Sequence, residues 1–233
     1  MRNVLYAVTR NLYQDMIVSL KSLLYHTKVD NVYVFIEDDC FPYELPDFIK
    51  TINVSDQKWF VDNGENYKNR CTYMVMMRVV ASEYLNVDQV LSIDYDTLTK
   101  KDIAPLFDYN IDDYYFAAAR EPNKNFPVTP AYYNFGVALL NLKKIREIID
   151  EAVSFLNYCY FDAAEQDLMN ILCQKRILEI PSIYNANAFT EKCPEEDIAI
   201  KHFPWKDKWR FHTDMDYKKF LIMPWKEVLL NAE

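Results

Sequence analysis

The chain has 233 residues, 51% of them hydrophobic and 15% aromatic, enough to bury a full core. Lys+Arg 26 against Asp+Glu 35 leaves a formal charge of -9, which argues against a sequence-independent grip on nucleic acid, where cationic surface supplies most of the affinity. The five cysteines are odd in number and scattered with no CxxC pair, so neither a disulfide framework nor a zinc cluster is expected.

The run Val4 to Val8 reads as a strand, and the apolar stretch around it is too short for a signal peptide before Arg10 interrupts it. No run reaches the length needed to cross a bilayer, and a cytoplasmic protein is expected. Tyr13 to Tyr25 has helical periodicity, and further strands are expected at Val32 to Ile36, Val90 to Ile93, Tyr115 to Ala119, Phe135 to Leu140, Leu178 to Ile183 and Ile198 to Phe203. Helices are expected over Tyr67 to Tyr84, Leu142 to Tyr158 and Ala163 to Cys173. Glu121 to Tyr132 carries Pro122, Pro127 and Pro130 and reads as a loop. Near-continuous apolar strands alternating with helices predict an α/β protein whose sheet is covered on both faces. No repeat or linker divides residues 1–233, so one domain is expected, with 205–233 packed on it as short helices.

Only two glycines occur, Gly64 and Gly136, which excludes both GxGxxG and the Walker phosphate loop, since each needs several glycines to bring backbone N–H groups to phosphate. Another device must neutralise any bound nucleotide. Val90 to Ile93 is followed by Asp94-Tyr95-Asp96, whose two carboxylates, one residue apart, can face one hard cation where a strand frays. An isolated Asp-x-Asp is more often a solvated turn, so its neighbours decide. Gly136 lies inside a hydrophobic strand, where the missing side chain permits close approach of a ligand or a neighbouring backbone.

Read in order, Asp94-Tyr95-Asp96, Tyr133-Asn134-Phe135-Gly136-Val137-Ala138-Leu139-Leu140-Asn141-Leu142, Glu165-Gln166-Asp167-Leu168-Met169-Asn170 and Ile200-Lys201-His202-Phe203 resemble the successive blocks of the family 8 glycosyltransferases, the group of the glycogenin-like enzymes and the bacterial lipooligosaccharide galactosyltransferases. The resemblance runs from about Val4 to Trp209. It implies the GT-A fold, a Rossmann-like, mixed but mostly parallel sheet flanked by helices, and a retaining enzyme that takes a hexose from UDP-glucose, UDP-galactose or UDP-N-acetylglucosamine with Mn²⁺ or Mg²⁺.

On the same resemblance Asp94, Asp96 and His202 would be the metal ligands, and one imidazole with two carboxylates suits Mn²⁺. The first strand and the turn after it, with Ala7, Thr9, Asn11 and Tyr13, would hold the uridine, Tyr13 by stacking on the base. A helix cap is the plain alternative for Asn11. Arg78, Tyr95, Glu121, Asn134, Gly136, Glu165 and Gln166 would surround the donor, and Lys208 would meet the diphosphate. Gln166, Glu165 and Arg78 are the candidates for catalysis, with same-face transfer expected because an amide is a poor nucleophile. Phe135 and Trp205 depart from the family pattern, which has a small residue and a glycine there. A catalytically idle sugar-nucleotide or carbohydrate-binding module therefore stands as the alternative. A Mg²⁺-dependent phosphatase or nuclease is a third possibility, though the acidic cluster of two-metal chemistry is missing from the sequence. The acceptor, whether a glycan, a lipid-linked glycan or a protein, is not legible.

Overall fold

The computed structural model describes residues 1–67, 72–122 and 131–231. Its centre is a seven-stranded sheet made of β1 (Asn3–Ala7), β2 (Asn31–Ile36), β3 (Ile49–Asn53), β4 (Gln89–Ile93), β6 (Phe116–Arg120), β7 (Tyr133–Asn141) and β8 (Ile177–Ile180). Two further strands, β5 (Thr97–Thr99) and β9 (Ile200–His202), form an antiparallel ribbon beside it. The sheet order is β3-β2-β1-β4-β7-β6-β8, and β7 alone runs against its neighbours.

Alternation along each strand sends side chains to two cores. Val4 and Tyr6 of β1 face one, Leu5 the other; Val137 and Leu139 of β7 face the first, Ala138 and Leu140 the second. The first core is closed by α1 (Tyr13–His26) and by two carboxyl-terminal helices, α7 (Met215–Ile222) and α8 (Trp225–Leu230), which bury Phe220 and Val228. The second is closed by α2 (Thr72–Met76), α3 (Leu142–Ile145), α4 (Ile149–Tyr158) and α5 (Ala164–Leu172). α6 (Lys208–Thr213) precedes α7, and Lys21 of α1 donates to the Met223 carbonyl at 2.7 Å, tying the tail to the body. The α/β sheet expected from the sequence is present.

Several elements differ from their expected form. Of the helix expected over Tyr67 to Tyr84, the described residues hold a single turn, α2, followed by i→i+3 turns in which Arg78 N donates to Val75 O and Val79 N to Met76 O. Residues 68–71 of that helix lie outside the described residues. The Arg78 side chain itself donates to the Val75 carbonyl at 3.3 Å, and β-branched Val75, Val79 and Val80 crowd an α-helical path, so the chain tightens there. Leu142 to Tyr158 is likewise α3 and α4 joined by a 3₁₀ turn. Strands β3 and β5 were not expected. β3 is a sheet edge with Lys50 and Thr51 exposed, and β5 has three residues, too few for a periodicity signal. Of the expected proline loop, residues 123–130, with Pro127 and Pro130, lie outside the described residues.

Candidate active site

Strand order reverses between β1 and β4, and the crevice beyond the carboxyl ends of such strands is where open α/β sheets hold ligands. Asp94 leaves β4 at that edge. Thr97 closes the following turn by donating its hydroxyl to the Asp94 carbonyl at 2.9 Å, and β5 then pairs with β9 in the register Thr97 to His202. Phe203 N donates to the Asp96 carbonyl at 2.9 Å. The turn and the ribbon, rather than strand alternation alone, bring His202 against both aspartates: His202 Nε2 lies 3.6 Å from Asp94 Oδ2 and 3.3 Å from Asp96 Oδ1.

One ligand atom from each of Asp94, Asp96 and His202 lies within 4.8 Å of the others, so the three residues could hold a metal ion. Asp96 Oδ1 and His202 Nε2 are buried and have no hydrogen-bond partner. Leaving such atoms unpaired costs about 1–3 kcal/mol each, a cost that a shared cation would offset. A carboxylate pair with one imidazole is a fitting donor set for a borderline divalent metal. Two contacts fix the imidazole: Asn185 Oδ1 lies 2.8 Å from His202 Nδ1, while Asn185 Nδ2 donates to Asn134 Oδ1 at 2.8 Å. A neutral ring that donates Nδ1–H to the amide oxygen would turn the Nε2 lone pair toward the aspartates. Asn185 is fully buried, and no sequence motif marked it.

Gly136 makes the arrangement possible. It sits across from Asp94, whose N–H donates to the Gly136 carbonyl at 2.7 Å, and a Cβ on Gly136 would collide with His202 Cε1 and come within 2.9 Å of Asp94 Oδ2. The close approach inferred for this glycine is made by the two candidate ligands.

Arg78 is 5% exposed and bridges the site: it donates to Asp94 Oδ1 at 2.7 Å, to the Phe135 carbonyl at 3.1 Å, and to Glu165 Oε1. Burial pushes the Glu165 carboxyl up against the opposing pull of Arg78, and burial likewise raises Asp94 although Arg78, His202 and Lys208 pull it down. Burial works against protonating His202, but its contact with Asp96 and the charges of Asp96, Asp94 and Glu121 outweigh that and raise it.

A cavity of about 580 Å³ opens beside these groups. Arg78, Asp94, Glu121, Asn134, Glu165 and Gln166 line it, with Phe189 and Trp205 among its apolar walls. Asn134 donates to Glu121 and accepts from Gly136 N at 3.0 Å. Gln166 is held at both ends, accepting from Phe135 N at 2.8 Å and donating to the Tyr132 hydroxyl at 2.9 Å. Phe135, the bulky departure, is buried edge-on to Phe116 with ring centroids 5.0 Å apart, its ring lies 5.2 Å from Arg78 Cζ, and it does not line the cavity. Lys208 starts α6, donates to the Tyr95 hydroxyl, lies 4.7 Å from the Tyr95 ring centre and stands 3.8 Å from Asp96 Oδ2.

The residues expected to hold uridine lie at the same sheet edge but do not line this cavity. Ala7 ends β1, and the Thr9 hydroxyl donates to Asn11 Oδ1 at 2.7 Å. Asn11 makes no helix cap. Tyr13 is 2% exposed, its ring tilted against Phe41 and its hydroxyl bonded to Asp38 and Glu37 N, so the face expected to stack on a base is covered.

Residues 3–208 match the model of Glycosyl transferase family 8. The chain is 25% identical over 218 residues to Glycosyltransferase GlyA of Streptococcus pneumoniae, the match covering 83% of this chain and 31% of that protein. It is 24% identical over 273 residues to the lipopolysaccharide 1,2-glucosyltransferase of Escherichia coli K12, covering 97% and 79%. The chain thus spans about a third of the length of the first curated relatives it matches, 31% and 32%. Among solved structures it superposes on the glycosyltransferase GlyE of Streptococcus pneumoniae with a TM-score of 0.74 at 18% identity, covering 98% of this chain and 62% of that one. A galactosyltransferase, LgtC, solved with donor and acceptor sugar analogues, superposes with a TM-score of 0.71 at 18% identity, covering 96% and 98%. No described helix is long and apolar enough to cross a membrane. The fold is the GT-A fold, and the chain belongs to glycosyl transferase family 8.

Proposed function

We propose that this chain is a retaining hexosyltransferase that takes a sugar from a UDP-sugar with a divalent metal, Mn²⁺ before Mg²⁺, and passes it to a saccharide acceptor. The observation that carries the reading is the pair of buried atoms without hydrogen bonds, Asp96 Oδ1 and His202 Nε2, 3.3 Å apart beside Asp94, with Asp94 and His202 lining the cavity. Asp94, Asp96 and His202 would hold the metal. When bound, the ion supplies positive charge to the departing diphosphate. Carboxylates crowd the cavity, with Asp94, Glu121, Asp162 and Glu165 all lining it, so an anionic donor needs that charge. Lys208, beside Asp96 and partly exposed, is within reach to add a second cation on the diphosphate. Glu121, Asn134, Glu165 and Gln166 would hold the hexose by its hydroxyls.

The state of Glu165 and Gln166 favours same-face transfer over a covalent intermediate. Glu165 is buried and clamped by Arg78, and the Gln166 amide has both ends engaged, so neither offers a ready nucleophile. The departing phosphate oxygen is then the base that takes the acceptor proton. A sugar trapped covalently on Glu165 or Gln166 of the native chain would overturn that mechanism. The donor reading is tested by UDP release from UDP-glucose, UDP-galactose and UDP-N-acetylglucosamine with Mn²⁺, compared with Asp94→Ala/Asp96→Ala. Release from one donor that disappears in the double variant is expected; release indifferent to the two aspartates contradicts it.

A further inference from the structure

Trp205 stands where the family pattern has a glycine, and its φ is 58°, in the left-handed region that disfavours a bulky L residue. It is 46% exposed and lines the cavity three residues after His202. Backbone strain of this kind gathers at ligand sites. Ala164, also left-handed at 41°, adjoins the cavity through Ala163. Phe189 lines the same cavity, 43% exposed, from a different segment. Its loop is closed by Asn187 Oδ1, which accepts from Phe189 N at 2.8 Å and from Thr190 N at 3.1 Å, so the ring is carried on an ordered turn.

We propose that Trp205 and Phe189 form an aromatic platform that stacks on a pyranose ring of the acceptor. The inference rests on the UDP-sugar reading above. A donor is a linear molecule, base, ribose, diphosphate, hexose; with the diphosphate at Asp94, Asp96 and His202 and the hexose on Glu121, Asn134, Glu165 and Gln166, the nucleoside must leave the cavity on the diphosphate side. The same cavity is walled by the Trp205 and Phe189 rings, and the acceptor must enter it to reach the anomeric carbon. A pyranose has a face made of C–H groups ringed by hydroxyls. Aromatic rings take such a face, and polar cavity groups such as Asp162 are placed for the rim.

Saturation-transfer NMR tests this, irradiating the protein's aromatic protons with UDP, Mg²⁺ and either methyl β-D-galactopyranoside or methyl β-D-glucopyranoside present. The variant Trp205→Gly suits a left-handed backbone and keeps the loop path while deleting the indole. Ring C–H signals of at least one pyranoside should fall at least about threefold in Trp205→Gly and in Phe189→Ala, and return to within about twofold of wild type in Trp205→Tyr. The uracil protons of UDP in the same tube should keep their signal, reporting a folded, nucleotide-holding protein. Undiminished ring signals, no pyranoside signal in wild type, or loss of the uracil signals in both deletions would overturn the platform. A wild type that binds UDP but whose pyranoside signals ignore Trp205 sinks only this inference. One that neither binds UDP nor releases it from a UDP-sugar sinks the donor reading as well.

Discussion

Two corners of the same sheet edge are built from similar residues and end in opposite states. Beyond β1 and β2, the Tyr13 hydroxyl donates to Asp38 at 2.8 Å and accepts from Glu37 N at 3.1 Å, Arg10 pairs with Asp38, and Thr9 bonds Asn11. Burial pushes Tyr13 up to about 12, as expected of a phenol with no reason to ionise. Beyond β4, β7 and β9 the polar groups are equally ordered, yet Asp96 Oδ1 and His202 Nε2, 3.3 Å apart, are buried without a hydrogen bond. The first corner is complete within the chain. The second leaves two buried polar atoms without hydrogen bonds, and its three donors could hold a metal ion.

The sharpest way to break this contrast is at the aspartates. Asp94→Ala/Asp96→Ala should lower UDP release by about a thousandfold or more, the scale on which lost transition-state charge stabilisation is felt. Next comes Gly136→Ala, because the added methyl meets His202 and Asp94 Oδ2 directly. It should abolish tight Mn²⁺ binding and destabilise the fold by about 1–3 kcal/mol, measured by titration calorimetry and denaturant melts. Asn185→Ala leaves the aspartates alone but frees the imidazole, and Mn²⁺ affinity should drop about 10–100-fold. Tyr13→Phe probes the other corner: leaving the part-buried Glu37 N without its acceptor should cost about 1 kcal/mol of stability while Mn²⁺ affinity holds.

The smallest effect lies outside both corners. His26, near the end of α1, is held below its ordinary value mainly by burial, with Lys219 adding to it. The folded state therefore binds this proton less readily than the unfolded chain, so stability is full above the ordinary histidine range and declines as pH falls below it. His26→Gln should flatten that part of the pH–stability curve. An unchanged curve would assign the acid limb to other groups.

Asp94, Asp96 and His202 could be picked out in the sequence because acidic residues at a strand end and a histidine ending an apolar strand are local patterns. Their meeting depends on β5, three residues long, whose pairing with β9 is non-local and leaves no periodicity to read. Gly136 was conspicuous by scarcity, but the atoms it makes room for belong to residues 42 and 66 positions away in the chain, taking Asp94 and His202 from Gly136. Asn185 was invisible, since a buried asparagine in an irregular segment looks like any other turn residue until its partners are in place. Tyr13 shows the reverse case: an aromatic after a candidate nucleotide turn suggests stacking, and its ring is buried against Phe41 with its hydroxyl in two hydrogen bonds. The expected helix over Tyr67 to Tyr84 was lost to the same kind of tertiary demand, since Arg78 turns back onto Val75 while reaching Asp94 and Glu165.

The most direct test is a calorimetric titration of Mn²⁺ into the protein with UDP present. A single Mn²⁺ bound per chain in wild type, lost in Asp94→Ala/Asp96→Ala and in His202→Ala but kept in Tyr13→Phe, is the predicted result. Equal Mn²⁺ binding by wild type and His202→Ala would contradict the shared aspartate–histidine centre.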